Sequence, residues 1–468
     1  LNLQKLQDSI RGEITSDAQI LNYYSVDSSF YRVKPKLVVF PKTISDIVAT
    51  VRFAKKNKLT VTPRGAGTGL VGSALNDRII MDLKNFDKIR VYKNFVDAGA
   101  GVHKGKLDLV LKKHKKFLGP NPSVGPYCTI GGMVATNASG SRSLKYGSTL
   151  ENLLGVTIVL GMGKVAKLPS DSLSNSVLAL ANSIDRGSYP QVSKNSCGYR
   201  LDAIRDKSDS HKIIAGSEGT LGIITSVRLK IFDEPQKRAL LILGYQSTKD
   251  ALQDCQNIVK LGPSALEFVD SNTAKNFQAR IDANCVLYIE FDSKIHQNIQ
   301  SLKKISSGKT LYTFFSDKSM TKWWAYRSAA LHFSLKNLSK REFTSHIIED
   351  ATVPLKRLGD LITLAEKIQK KFHARLVMYG HAGNGNIHIR LATRDRTAIR
   401  KLARMFFVDV IKMGGTITGE HGDGIARTDF VRLQYGKKTY DAFMDLKKRF
   451  DPDMVLNPGK IVKLARTH

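Results

Sequence analysis

Cysteine is scarce: the 468 residues hold four, Cys128, Cys197, Cys255 and Cys285, and no two of them form a CxxC pair. This excludes a zinc ribbon or an iron–sulfur cluster built from this chain, and so few unpatterned cysteines fit a reducing cytosol. Long apolar runs are missing as well. No segment approaches the ~18 uninterrupted apolar residues of a membrane span, and no basic start leads into an apolar signal core, so neither insertion nor export is expected. There is no internal repeat and no low-complexity linker. Acidic residues are the remaining shortage: 41 Asp and Glu face 73 Lys and Arg, a formal net charge of +32. Such an excess spreads a positive field over the surface. The densest basic run, 111–116, could meet anionic lipid head groups at about 1 kcal/mol per basic residue, and a solvated helix face explains it equally well. The basic residues are dispersed and form no recognisable nucleic-acid module, so nucleic acid is not an expected partner.

What is present is glycine in pattern. PRGAGTGLVGS at 63–73 and TIGGMVATNASG at 129–140 read as two halves of one anion cradle, because missing Cβ atoms let backbone N–H groups approach a phosphate. Gly67 to Gly72 spells the GxGxxG fingerprint of a nicotinamide dinucleotide site. Only Ser73 to Asp77 separate it from the apolar run 78–83, which leaves no room for the crossover helix of that fold. Ser73 also stands where a phosphate-loop Lys would follow the last glycine. Upstream, Thr43 reads as an N-cap, and Ile44, Ile47, Val48, Val51 and Ala54 share one helical face.

A second constellation lies near the carboxyl end. His381 and His388 bracket AGNGNI, and Glu420-His421 follows some thirty residues later. A straight strand of period two cannot present both imidazoles on one face, so the glycines must bend the chain. Two imidazoles, one carboxylate and an open position suit Zn2+ or another first-row divalent ion such as Mn2+.

These segments, with VVFPKTISDIVATVRFAKKNKLTVTPRGAGTG, the motifs at 119–155, AGSEGTLGIIT at 215–225, YGHAGNGNIHI at 379–389, TGEHGDGIARTDF at 418–430 and DPDMVLNPGKIV at 451–462, resemble the vanillyl-alcohol oxidase/PCMH flavoprotein superfamily. Within it they look most like the FAD-linked D-2-hydroxyacid dehydrogenases: D-lactate dehydrogenases, the glycolate-oxidase flavin subunit and D-2-hydroxyglutarate dehydrogenases. The resemblance spans essentially the whole chain. It implies an α+β fold: an amino-terminal arm at 1–33, a two-subdomain PCMH-type FAD-binding module at 34–232, an antiparallel-sheet cap at 233–415, and a helical segment at 416–468 returning to the flavin module.

The resemblance assigns the FAD diphosphate to Arg64, Gly65, Ala66, Gly67, Thr68 and Gly69, with Pro120, Thr129, Gly131, Gly132, Ala135 and Asn137 from the second cluster. Arg142, Tyr146, Gly147, Glu218 and Ile224 become neighbours of the adenine and the flavin ring. Thr68 stands where relatives with covalent flavin place His, so FAD is expected to dissociate. His381, His388 and Glu420 become metal ligands, and His421 the neutral base that accepts the substrate hydroxyl proton as hydride passes to FAD. Arg327 of the WxxR element 324–327 would clamp the substrate carboxylate through a bidentate pair. Arg390 replaces an Asn of the hydroxyglutarate enzymes, and Ile348 stands where they carry a Lys, so the far end of the substrate pocket differs. The implied partners are a small 2-hydroxyacid and an external acceptor: a quinone, a cytochrome, an electron-transfer flavoprotein or a separate iron–sulfur protein. The implied location is the cytoplasm, with peripheral contact at the inner membrane face as the variant the basic surface allows. A catalytically silent flavin subunit and a flavin-dependent ether-lipid synthase are the competing readings.

Overall fold

Thr43 starts the helix Ile44–Lys56 through a capping box: its hydroxyl accepts from the Asp46 N–H, and Asp46 reaches back to the Thr43 N–H. Ile47, Val51 and Ala54 are fully buried, while Ile44 at the first turn stays exposed. Each buried aliphatic contributes roughly 1.5–3 kcal/mol, which fixes this face on the neighbouring sheet. The computed structural model describes residues 3–170, 172–274, 277, 279, 281–330, 332, 343–344 and 346–463.

The first sheet of the chain has four strands in the spatial order Glu13–Thr15, Leu37–Phe40, Ile79–Asp82, Val61–Arg64. Val61–Arg64 and Ile79–Asp82 pair in parallel. The link between these parallel neighbours is the glycine loop itself, with no crossover helix. A second sheet, fully antiparallel, runs Ile89–Val91, Phe95–Gly99, Ile223–Lys230, Leu153–Val159, Val165–Leu168.

From Ala239 onward the chain builds a seven-stranded antiparallel sheet. Its order is Lys309–Phe314, Ala239–Tyr245, Cys285–Phe291, Ala265–Asp270, Arg375–His381, Asn386–Thr393, Phe343–Thr344. Three central strands, Ala239–Tyr245, Ala265–Asp270 and Cys285–Phe291, are buried along their whole length. Helices Thr248–Ile258 and Leu358–Lys371 pack against this sheet.

After the helical stretch Gly424–Phe450, broken at Gly436, the chain returns to the first sheet. The Val61 N–H donates to the Val455 carbonyl at 2.8 Å. The Asn457 amide donates to the carbonyls of Ser73 at 2.8 Å and Glu218 at 2.6 Å, and Lys460 donates to the Leu75 carbonyl at 2.7 Å. No helix among the described residues is long and apolar enough to cross a membrane.

Candidate active site

The two glycine clusters meet. A Cβ on Gly65 would lie 2.1 Å from the Thr129 hydroxyl, so only glycine lets the first loop seat on the second. Arg64 lies beneath, donating to the Val26 carbonyl at 2.8 Å, and so braces the loop from below. The N–H groups of Ala66, Gly67, Thr68 and Gly69 donate to no protein acceptor among the described residues, and they border a cleft. Backbone donors left open beside a cavity are what an anionic diphosphate needs.

Of the residues expected to hold FAD, Arg64, Gly65, Ala66, Gly67, Thr68, Gly69, Thr129, Gly131, Gly132, Ala135, Glu218 and Ile224 line this one cleft. Pro120, Asn137, Arg142, Tyr146 and Gly147 do not border it. Asn137 instead caps the next segment, its side-chain oxygen accepting from the Leu150 N–H at 2.9 Å and the Ser148 hydroxyl at 3.0 Å. Arg142 reaches across to Glu290 at 3.1 Å, and Tyr146 bonds Asp292, so both tie the flavin module to the large sheet.

At its other end the same cleft is lined by Arg327, Tyr379, His381, His388, Arg390, Glu420 and His421. The bend required between the two histidines is a β-hairpin. His381 ends one strand, Gly385 closes the turn, and the returning strand sets His388 opposite Tyr379. Gly385 has φ +70°, and a Cβ there would strike the Val353 carbonyl at 2.1 Å.

Three imidazoles converge on one carboxylate oxygen. Glu420 Oε1 lies 2.9 Å from His381 Nε2, 3.3 Å from His388 Nε2 and 3.8 Å from His421 Nε2. His381 Nδ1 is itself 2.7 Å from Glu267 Oε1, so both ring nitrogens of His381 face carboxylate oxygens. A neutral imidazole carries one N–H, so one of these contacts sets lone pair against lone pair unless a proton or a cation lies between. The buried His388 Nδ1 has no hydrogen-bond partner among the described residues. This donor set fits a divalent cation, and Glu267 supplies the carboxylate that orients His381.

Asp350, His388, Glu420 and His421 also offer ligand atoms within 4.8 Å of one another. Asp350 is already engaged: its Oδ2 accepts from the Thr418 hydroxyl at 2.6 Å and from the N–H groups of Glu420 at 2.9 Å and His421 at 2.8 Å. Through Oδ2 it positions the Glu420-His421 segment, while its Oδ1 accepts from the Asn386 amide at 3.2 Å and lies 3.8 Å from both His388 Nδ1 and His421 Nδ1.

Burial pushes the Glu420 carboxyl up, but His381 and Lys194 overcome this and hold it well below the usual carboxylate range. For His388, burial disfavours the charged form and lowers the imidazole. His421, expected as a neutral base, is instead held above the ordinary histidine value. Burial would lower it, but Glu349, 2.7 Å from Nδ1, and then Asp350 raise it to about 9. Arg327 departs from expectation too: its Nε and Nη2 both donate to Glu267 Oε2, at 2.9 and 2.5 Å. The edge expected to clamp substrate therefore holds Glu267, and Nη1 is the end without an acceptor among the described residues. Arg390 donates to the Tyr379 hydroxyl at 3.0 Å, His346 Nδ1 at 2.9 Å and Glu349 at 3.2 Å. Ile348 is buried in the core.

Residues 35–169 match the family described as FAD binding domain, and residues 234–461 that described as FAD linked oxidases, C-terminal domain. The chain is 28% identical to D-lactate dehydrogenase of Anaerostipes hadrus, over 97% of this chain and 93% of that relative. It is 29% identical to glycolate oxidase subunit GlcD of Bacillus subtilis, over 94% of this chain and 91% of that relative. Against D-2-hydroxyglutarate dehydrogenase of Pseudomonas putida it is 28% identical over 98% of its length, yet it spans about half, 51%, of that relative. Among solved structures, alkyldihydroxyacetonephosphate synthase superposes with a TM-score of 0.71 at 19% identity, over 97% of this chain and 85% of that one.

Proposed function

The chain belongs to the FAD-linked oxidases, and from that premise we propose that it is an FAD- and divalent-metal-dependent dehydrogenase that oxidises a D-2-hydroxyacid of the D-lactate, glycolate or D-2-hydroxyglutarate class to the 2-oxoacid. Its electrons pass to an external acceptor other than a nicotinamide nucleotide. The observation that carries this reading is the convergence of three imidazole Nε2 atoms on Glu420 Oε1 in the cleft that the glycine loops also line. When bound, FAD supplies a hydride acceptor and a Zn2+- or Mn2+-type ion supplies Lewis acidity towards the substrate oxygens.

His381, His388 and Glu420 are the residues to hold the ion. His421 is the base. With its Nδ1 proton directed at Glu349, the neutral ring keeps a lone pair on Nε2, and that atom takes the hydroxyl proton. The carboxylates behind the ring strengthen it as a base, since they stabilise the imidazolium that results. Arg327 offers Nη1 to the substrate carboxylate while Glu267 fixes its plane. The Arg327 guanidinium lies 5.3 Å from the Tyr379 ring centre, and the Tyr379 hydroxyl accepts from Arg390, so both cations are held at the substrate end of the cleft. Arg390 there favours a second carboxylate on the substrate.

The full donor set argues against a silent subunit, and the likeness to the synthase at 19% identity speaks to fold alone. Chelation tests the metal requirement. Protein stripped of metal should keep its FAD but lose flavin reduction by 2-hydroxyacids, and Zn2+ or Mn2+ should restore it; undiminished reduction after complete removal would contradict the reading.

A further inference from the structure

Glu420 is bonded unequally at its two oxygens. Oε1 faces the three imidazoles. Oε2 accepts three hydrogen bonds, from the Ser139 hydroxyl at 2.5 Å, the Gly140 N–H at 3.0 Å and the Lys194 ammonium at 3.0 Å. A carboxylate oxygen has about two lone-pair sites, so Oε2 is saturated. The donors are rigid. Ser139 and the Lys194 side chain are each 1% exposed, and the adjacent Ser193 hydroxyl donates to the Asn384 carbonyl at 2.9 Å. The segment that carries Lys194 thus also grips the turn joining the two histidine strands.

We propose that Lys194 and Ser139 are positioning residues that hold Glu420 to a single donor oxygen and thereby select the cation. This rests on the reading that a divalent ion binds His381, His388 and Glu420. With Oε2 withheld, the protein offers two nitrogens and one oxygen. Such a set suits Zn2+ and its first-row neighbours, which accept few, nitrogen-rich ligands. Ca2+ takes six to eight oxygens and often both oxygens of a carboxylate, so it meets too few donors here. The Lys194 charge also opposes any further cation that would draw Oε2 away. Ser139 and Gly140 belong to the second glycine cluster, which places the restraint on Glu420 within the wall of the dinucleotide cleft.

The test is calorimetric titration of the metal-stripped, FAD-loaded full chain with Zn2+ and, separately, with Ca2+, for the wild type, Lys194→Met, Lys194→Arg, Ser139→Ala and the double variant Lys194→Met/Ser139→Ala. The wild type should bind Zn2+ far more tightly than Ca2+. The double variant, which leaves Oε2 the Gly140 N–H alone, should narrow that gap about tenfold or more, the usual scale for losing a partner of a metal ligand; each single variant should narrow it less, because two donors remain, and Lys194→Arg should hold it near the wild-type value. Visible absorption of the Co2+-substituted protein gives a readout that mere destabilisation would not move, because band intensity falls as the coordination number rises: in the double variant, where Oε2 keeps the Gly140 N–H alone, the spectrum should weaken as one lone pair of Oε2 becomes free. Should the double variant fail to retain FAD, the two single variants carry the test, since each weakens the hold on Oε2 by one donor and should move the gap a smaller step in the same direction. An unchanged Zn2+-to-Ca2+ gap in the folded variants, with the wild type still binding Zn2+, overturns this inference alone. A wild type that binds no Zn2+ overturns the metal reading and this inference with it.

Discussion

Replacing His421 by Asn removes the Nε2 atom and little else. The Asn amide nitrogen stands close to where Nδ1 stands, so a donor towards Glu349 Oε1 survives, and Glu349 keeps Arg390 at 3.2 Å and Arg427 at 3.0 Å. The fold should therefore hold. The metal should also hold, because His381 and His388 bring Nε2 to 2.9 and 3.3 Å from Glu420 Oε1, whereas His421 stops at 3.8 Å. What disappears is the proton acceptor. Losing a general base costs about 100-fold or more in rate, about 2.7 kcal/mol of transition-state stabilisation. His388→Ala should behave in the opposite order and lose metal first. The pH profile adds a sign. Only the neutral imidazole accepts a proton, and the metal-free His421 is raised to about 9 by Glu349 and Asp350. Wild-type flavin reduction should thus climb as pH rises through the His421 value, which a neighbouring divalent ion lowers from about 9, and His421→Asn should lack that limb. Elemental analysis paired with anaerobic stopped-flow flavin reduction decides the matter. A metal-free His421→Asn, a wild-type rate in that variant, or an acid limb that persists in it would refute the division of roles.

Acid precipitation should release the flavin into the supernatant, since Thr68 offers no imidazole for a covalent link; flavin retained in the pellet would contradict this. Arg390→Ala should lower kcat/KM for a dicarboxylic 2-hydroxyacid by about tenfold or more while sparing lactate, the scale of one lost charge-assisted hydrogen bond of roughly 1.5–3 kcal/mol. Equal losses on both substrates would mean that Arg390 acts only through Glu349, Tyr379 and His346.

The features legible in the sequence were those whose physics is local. Thr43 and the helix after it follow from a cap and a 3.6-residue period, and the bend between His381 and His388 follows from the strand's period of two together with intervening glycines. The glycine loops pointed to an anion cradle because missing Cβ atoms let backbone N–H groups approach a phosphate, whereas the close packing that also requires glycine at Gly65 and Gly131 was not visible in the sequence. The groups that tune the site were not legible, because each meets its partner across a long stretch of chain. Glu267 is 114 residues from His381, Glu349 is 72 from His421 and Lys194 is 226 from Glu420. A faint signal existed for Glu267 and for the pair Glu349-Asp350: carboxylates inside or beside apolar runs must find cations once buried. Nothing local marked Lys194. The same limit hid the partners of Arg142 and Tyr146, which bond Glu290 and Asp292, 148 and 146 residues away. It also hid the parallel pairing of Val61–Arg64 with Ile79–Asp82, which a loop closes without a helix.

The central claim is that this cleft oxidises a 2-hydroxyacid of one hand with FAD as the immediate acceptor, and the most direct measurement is anaerobic bleaching of the bound flavin. The FAD- and metal-loaded protein should be mixed with the separate D- and L-enantiomers of lactate, malate and 2-hydroxyglutarate, and with glycolate, while the flavin absorbance is followed. At least one D-enantiomer or glycolate should bleach the flavin and yield the matching 2-oxoacid in equal amount, with the L-enantiomers slower by orders of magnitude. A flavin that stays oxidised with every acid, or that bleaches equally with both hands, would contradict the account.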